Sequence, residues 1–112
     1  MGHSASWAGD VKRLVLAIRR RYRPRRIILF GSAAQKGRKR IHDLDLLIIK
    51  ATRASHAKRS EDIYRAMTGV RCGYPVDAIV YTPAEFQERF ALGDPFLRRI
   101  VLDGQILYDA AA

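Results

Sequence analysis

Two short apolar runs in the first half of the chain constrain its fold more than any other feature. The run 27–30 reads Ile-Ile-Leu-Phe, and the run 44–49 is apolar except for Asp45. Continuous apolar runs of this length are typical of strands that are buried on both faces. Both runs are therefore predicted to be central strands of a sheet.

Helix and strand patterns alternate along the rest of the chain. Apolar residues at spacings of three and four predict a helix over about 7–22, which Pro24 ends. The other predicted elements are a short helix over 33–36, helices over 55–67, from 82 onward and over 94–103, and strands over 75–81 and 106–108. This order predicts an α/β fold, with a small mixed β-sheet that helices cover mainly on one face.

Local patterns predict how some of these elements begin and which side chains face the core. Ser32 is the expected N-cap of the short helix. The run Thr82-Pro83-Ala84-Glu85 has the pattern of a capping box with proline at the first helical position. In the later helices, the spacing of apolar residues predicts that Tyr64, Phe96 and Val101 point inward.

Charge and composition restrict the class of protein. The chain has 21 Lys and Arg against 11 Asp and Glu, a net charge of +10, which indicates an anionic substrate, an acidic protein or a polyanion as partner. No apolar run approaches the roughly 20 residues that span a bilayer, so no membrane contact is expected. The single cysteine, Cys72, favours a reducing cytoplasm. The length predicts one domain over residues 1–112.

Three aspartates lie in or beside the apolar strands. Asp43 and Asp45 are two residues apart and share one face of a strand, and Asp77 lies in the predicted third strand. If the third strand lies beside the second, all three carboxylates converge. Carboxylates in apolar strands are costly to bury without a cation, and two Mg²⁺ ions held by such a set are the known arrangement for phosphoryl displacement. The alternative is that each aspartate pairs with one of the many arginines.

The segment between the two strands has features of a phosphate site. Gly31 and Ser32 end the first strand, and small residues there allow a phosphate to approach backbone N–H groups and the serine hydroxyl. A basic loop follows, whose cations Lys36, Arg38, Lys39 and Arg40 are all candidates for contacting the phosphates, and Lys36 is the one assigned here. The segment lacks the Gly-x-x-x-x-Gly-Lys-Ser/Thr pattern of a P-loop.

Taken together, these residues resemble a known signature. Gly31-Ser32, ten intervening residues and Asp43-Leu44-Asp45 are similar to the Gly-Ser-x10-Asp-x-Asp motif of minimal nucleotidyltransferases, within the polymerase-β-like superfamily. The resemblance continues through Asp77 to the end of the chain. This chain differs from many members of the family in two details. They have Ala-Arg-Gly after the Gly-Ser, and they have Ser at the position of His42.

The resemblance implies a mechanism and a partner. Asp43, Asp45 and Asp77 would be the catalytic residues and the ligands of a two-Mg²⁺ site, and Asp77 would help to deprotonate the attacking hydroxyl. Gly31 and Ser32, with Lys36, would bind the triphosphate of ATP. The family includes antitoxins whose partner is a HEPN-type toxin, and the implied reaction is transfer of AMP to a tyrosine of that toxin. The role of His42 stays open.

Two other functions are kept as alternatives. The chain could be a non-catalytic antitoxin that neutralises its partner by forming a complex. It could instead be a basic nucleic-acid-binding protein, although its basic residues lack the interleaved aromatic residues of a stacking platform.

Overall fold

The computed structural model describes residues 3–35 and 40–112. Four helices and four strands lie in these ranges, together with one short 3₁₀ helix at Gly31–Ala34. The helices are α1 His3–Tyr22, α2 His56–Ala66, α3 Pro83–Ala91 and α4 Pro95–Asp103. The strands are β1 Arg26–Phe30, β2 Leu44–Ile49, β3 Val76–Tyr81 and β4 Gln105–Asp109. None of the helices in the described part is long and apolar enough to cross a membrane.

The four strands form one mixed sheet in the order β3-β2-β1-β4. Strand β1 runs antiparallel to both β2 and β4, whereas β2 and β3 are parallel. The two apolar runs are therefore the two inner strands, as their composition predicts. Leu44, Leu46, Leu47 and Ile48 of β2 have no exposed surface, because helices lie on both sides of this strand.

The larger part of the core lies between the sheet and the helices α1 and α2. Its members are residues of these two helices and every second residue of the strands, among them Leu14, Ile18, Ile27, Leu29, Leu46, Ile48 and Ile63. The predicted mixed sheet, covered mainly on one face, corresponds to this layer.

The second face carries a smaller cluster under α3 and α4. Leu97 and Ile100 of α4 pack against Ile28, Leu47 and Ile49 of the sheet. The apolar residues that β1 and β2 present on this side require a cover, and the two short helices supply it. The second face is therefore covered at one end and open at the other.

Two expectations about local structure are wrong. Phe96 and Val101 are 39% and 52% exposed, and Leu97 is the fully buried residue of that first turn of α4. Ser32 is not an N-cap, because the 3₁₀ helix begins at Gly31 and has Phe30 at its cap position, with no side-chain capping bond.

Helix α3 begins with the predicted capping box. The Thr82 hydroxyl accepts a hydrogen bond from the Glu85 backbone N–H, and the Glu85 carboxylate accepts one from the Thr82 N–H. The same carboxylate takes two hydrogen bonds, of 2.7 and 3.1 Å, from the guanidinium of Arg59, which is 7% exposed. These bonds to Arg59 lower the pKa of Glu85 from 4.5 to about 2. The start of α3 is thus tied to α2 through a matched ion pair.

Candidate active site

The parallel pairing of β2 and β3 brings the predicted carboxylates to one end of the sheet. Asp45 and Asp77 are register partners on adjacent strands, and the Leu44 N–H donates a 2.9 Å hydrogen bond to the Pro75 carbonyl at the same end. Asp43 lies two residues before Asp45 and is half-buried, as Asp45 is. Because side chains alternate along a strand, Asp45 and Asp77 face the side of α3 and α4, and Asp43 immediately precedes β2.

The electrostatics of this end of the sheet are seen in the pKa of Asp45. Burial raises the pKa of Asp45 above 3.8, and the negative charges of Asp43 and Asp77 raise it further. Asp43 and Asp77 are therefore close enough for their negative charges to repel that of Asp45. A bound cation would relieve it.

Gly31 lies directly against the Asp45 carboxylate. Its backbone has φ of +74°, and a Cβ at this position would overlap the Asp45 Oδ2 atom. A side chain at residue 31 is therefore excluded on two grounds, the left-handed backbone and the neighbouring carboxylate. The sequence pattern predicts a small residue here so that a phosphate can approach. The close contact with Asp45 is a second reason for a glycine, and the pattern does not reveal it.

Of the other residues predicted near the nucleotide, the structure describes Ser32 and His42 but not Lys36. Ser32 is half-buried in the 3₁₀ helix, and its carbonyl accepts a 3.2 Å hydrogen bond from the Gln35 N–H. Lys36 lies outside the described residues, so its predicted role stays a prediction. His42 is exposed beside Asp43.

A cleft opens beside Gly31 on the face that carries Asp45. Its volume is about 260 Å³, and its lining includes Phe30, Gly31, Phe96, Arg99 and Gly104. The rings of Phe30 and Phe96 meet edge to face, with 5.4 Å between centroids. The cleft therefore combines an aromatic wall with the guanidinium of Arg99, which is ion-paired with Asp103 of the same lining, and it borders Asp45 through Gly31.

Tyr64 is a residue of this end that the sequence pattern misplaces. It is 40% exposed instead of pointing into the core. Its hydroxyl accepts a 2.9 Å hydrogen bond from the Ala78 N–H and donates one of 3.4 Å to Oδ1 of Asp77. The spacing of apolar residues treats a tyrosine as a core residue and gives no signal that its hydroxyl reaches a neighbouring strand.

The donor set suits Mg²⁺ in kind, because carboxylate oxygens are its preferred protein ligands. Within residues 3–35 and 40–112, however, no three His, Cys, Asp or Glu side chains are gathered closely enough to form a metal site. The carboxylates thus share one end of the sheet without being drawn together.

Comparison with known proteins identifies the family. The sequence profile of the nucleotidyltransferase domain matches residues 11–108, nearly all of the chain. The chain belongs to this family. A search of curated proteins finds no significant match.

The fold of this nucleotidyltransferase is similar to that of known structures. Two crystal structures of variants of the toxin–antitoxin MntA–HpeT contain a chain that superposes on it. In the first the TM-score is 0.59 at 18% identity, and the match covers 89% of this chain and 72% of the other. In the second the TM-score is 0.58 at 17% identity, with 90% and 73% covered. The predicted family and the predicted mixed α/β fold are confirmed.

Proposed function

We propose that this nucleotidyltransferase transfers AMP from ATP to a tyrosine hydroxyl of a partner protein and is the antitoxin of a HEPN-type toxin. In this proposal the whole of residues 1–112 is one catalytic domain. The observation that carries it is the group of three carboxylates at the end of the sheet, of which Asp45 has a raised pKa because of burial and of its neighbours Asp43 and Asp77.

Asp43, Asp45 and Asp77 are the residues that would hold two Mg²⁺ ions, and the metal would supply charge neutralisation at the phosphates. Asp77, which lies on the outer strand β3, would also accept the proton of the attacking hydroxyl. Asp43 and Asp45, which precede and begin β2, would keep the α-phosphate over the sheet. Catalysis of this type depends on position and charge, and both are set here by the pairing of β2 with β3.

The triphosphate would lie at the end of β1, where Gly31, Ser32 and Lys36 are the proposed contacts. The adjoining cleft has room for the nucleoside, and its Phe30 and Phe96 rings present apolar surface for a base. With the phosphates beside Gly31, pyrophosphate would leave on the β1 side of the site.

The proposed partner is supported by the fold of the MntA–HpeT complexes, which their name describes as toxin–antitoxin. One of them carries glutamates in place of two aspartates that are two positions apart, the spacing of Asp43 and Asp45. The net charge of +10 suits docking to an acidic protein surface.

The test uses the protein co-expressed and co-purified with a HEPN-type protein, and ATP labelled at either the α- or the γ-phosphate. We expect α label, and no γ label, to become bound to the partner. The double variant Asp43→Asn and Asp45→Asn should abolish this transfer, while Asp62→Asn, which removes an ion pair with Lys58 on α2, should retain it. Transfer by the double variant at the normal rate would refute the proposal.

A second candidate function is neutralisation of the partner without catalysis. It is favoured by the finding that the described carboxylates are not gathered into a metal site. If the double variant protects cells from the toxin as well as the wild-type chain does at equal expression, this candidate is the better one.

A further inference from the structure

We propose that Tyr64 is an internal acceptor, so that the enzyme transfers AMP to its own Tyr64 hydroxyl. This inference rests on the proposed function, because it uses the same reaction and the same carboxylates. It adds a modification site within the chain and a consequence for the activity toward a partner.

The position of the Tyr64 hydroxyl is the first reason. Its oxygen lies 3.4 Å from Oδ1 of Asp77, the group proposed to take a proton from the acceptor. The Ala78 N–H, one residue after Asp77 on β3, holds that oxygen at 2.9 Å. A tyrosine hydroxyl of the chain thus already donates to the proposed base, as an acceptor hydroxyl must before attack.

The strand order gives the second reason. Across the sheet, Gly31 ends β1, Asp45 lies on β2, Asp77 lies on β3, and Tyr64 lies beyond the outer edge of β3. In-line displacement places the attacking and leaving groups on opposite sides of phosphorus. With pyrophosphate leaving toward Gly31, the attacking hydroxyl approaches from the β3 edge, which is where Tyr64 lies.

Accessibility and distance are compatible with the reaction. Tyr64 is 40% exposed, and although α2 lies on the opposite face of the sheet from Asp45 and Asp77, the Tyr64 hydroxyl reaches the outer edge of β3, which borders both faces. Neighbouring strands are about 4.8 Å apart, so a phosphate over Asp45 and Asp77 is roughly one strand spacing from the hydroxyl. A rotation of the Tyr64 side chain spans a gap of this size.

The reaction is balanced as follows. The Tyr64 oxygen forms a bond to the α-phosphorus of ATP, and the bond from that phosphorus to the oxygen bridging the β-phosphate breaks. The phenolic proton passes to the Asp77 carboxylate, and pyrophosphate leaves with the bonding electron pair. The products are pyrophosphate and an AMP phosphodiester on Tyr64.

The modified residue would hinder further turnover. A phosphodiester on Tyr64 adds a negative charge beside Asp77 and fills the β3 edge, which is the side from which a partner hydroxyl has to approach. Self-modification would therefore lower the rate of transfer to the partner.

The five tyrosines of the chain make a sharp test possible. The purified full-length protein is incubated with ATP and Mg²⁺, and the modified residue is identified by mass spectrometry of its peptides. We expect at most one AMP per chain, on Tyr64 and on none of Tyr22, Tyr74, Tyr81 and Tyr108. The fraction modified per unit time should not change over a tenfold range of protein concentration, since the acceptor belongs to the same chain.

Two tyrosine variants separate this inference from a structural role of the ring. Tyr64→Phe should remove the modification, whereas Tyr81→Phe, at the other end of β3, should leave it on Tyr64. Preincubation with ATP should lower the later rate of transfer to the partner at least severalfold in the wild type and in Tyr81→Phe, but not in Tyr64→Phe. Circular dichroism and thermal unfolding confirm that each variant is folded.

Failure of this inference differs from failure of the proposed function. Transfer to the partner with Tyr64 unmodified would overturn only the internal acceptor, and would leave its hydroxyl as a group that positions Asp77. AMP on another tyrosine would overturn it as well. If neither the chain nor the partner is labelled, both proposals fall.

Discussion

Strand β3 has a functionally different carboxylate at each end. Asp77 lies near its start beside Asp45, and Glu85 follows its end in the first turn of α3. Glu85 receives two hydrogen bonds from Arg59 and a third from a backbone N–H, and its pKa falls to about 2. Asp45 lies among carboxylates, and its pKa is raised by burial and by Asp43 and Asp77.

Glu85 stabilises the fold through its ion pair, whereas the environment of Asp45 opposes the ionisation of its carboxylate. The Arg59–Glu85 pair joins α2 to α3 and needs no ligand. Burial and the charges of Asp43 and Asp77 disfavour the ionised form of Asp45, and a carboxylate in such an environment is typical of a functional site. Substitution of Glu85 should therefore lower stability and leave activity, whereas substitution of Asp45 should lower activity and leave stability.

The largest effect is expected for Asp45→Asn. Transfer of α label from ATP should fall by at least about 1000-fold, because a charge proposed to position the reacting phosphate is removed. The same substitution removes like-charge repulsion, so the Tm should stay the same or rise. A large fall in Tm would show that Asp45 stabilises the fold, as Glu85 does, and would contradict the proposed difference between the two carboxylates.

The reciprocal substitution is Glu85→Gln. It leaves the buried Arg59 without its charge partner, which should cost about 3 kcal/mol of the free energy of unfolding. In a domain of this size that corresponds to a fall in Tm of roughly 12 °C, measured by calorimetry. Below the unfolding transition, label transfer should continue. The control Glu88→Gln, on the exposed side of α3, should shift the Tm very little.

Gly31→Ala should lower stability less than Glu85→Gln does. It tests whether the backbone at residue 31 lies against the Asp45 carboxylate. The left-handed backbone should cost about 1–2 kcal/mol, and contact with the Asp45 carboxylate should add to that. In an Asp45→Ala background only the backbone part remains, so a double-mutant cycle by urea unfolding should show a positive coupling energy. Additive effects would contradict the close approach of residues 31 and 45.

The smallest effect is a difference in the pH dependence of stability. The pKa of Glu85 is lowered in the folded state, so its contribution is complete above pH 4.5 and is lost as the pH falls toward 2. The pKa of Asp45 is raised, so folding is favoured by its protonated form, and stability decreases as the pH rises above 3.8 through the folded-state pKa.

Urea unfolding at several pH values measures both slopes. The stability difference between the wild type and Glu85→Gln should shrink below pH 4.5. The stability advantage of Asp45→Asn should grow above pH 3.8. When each stability difference is taken as wild type minus variant, it should rise with pH for Glu85→Gln and fall with pH for Asp45→Asn. Slopes of the same sign would show that the two carboxylates are in equivalent environments.

Much of the fold was predictable from residues that act locally. The run 44–49 is observed as β2 with the same bounds, and Thr82 with Glu85 forms the predicted capping box. On α4 the burial of Ile100 agrees with the spacing, but Phe96 and Val101 were wrongly predicted to point inward in place of Leu97. All four residues are apolar, and spacing alone does not say which pair meets the sheet. The position of Ile28 and Leu47 on the second face decides this.

The sequence by itself determined which residues are available to the site. Three aspartates in or beside apolar strands indicate a cation site, because carboxylates are costly to bury there without one, and together with the Gly-Ser pair they resemble the nucleotidyltransferase signature. Only the tertiary structure decided that Asp45 pairs in register with Asp77, that Gly31 lies against Asp45, and that Tyr64 reaches Asp77. These contacts join residues that are far apart in the chain, and strand order and register, which no local pattern encodes, set their distances.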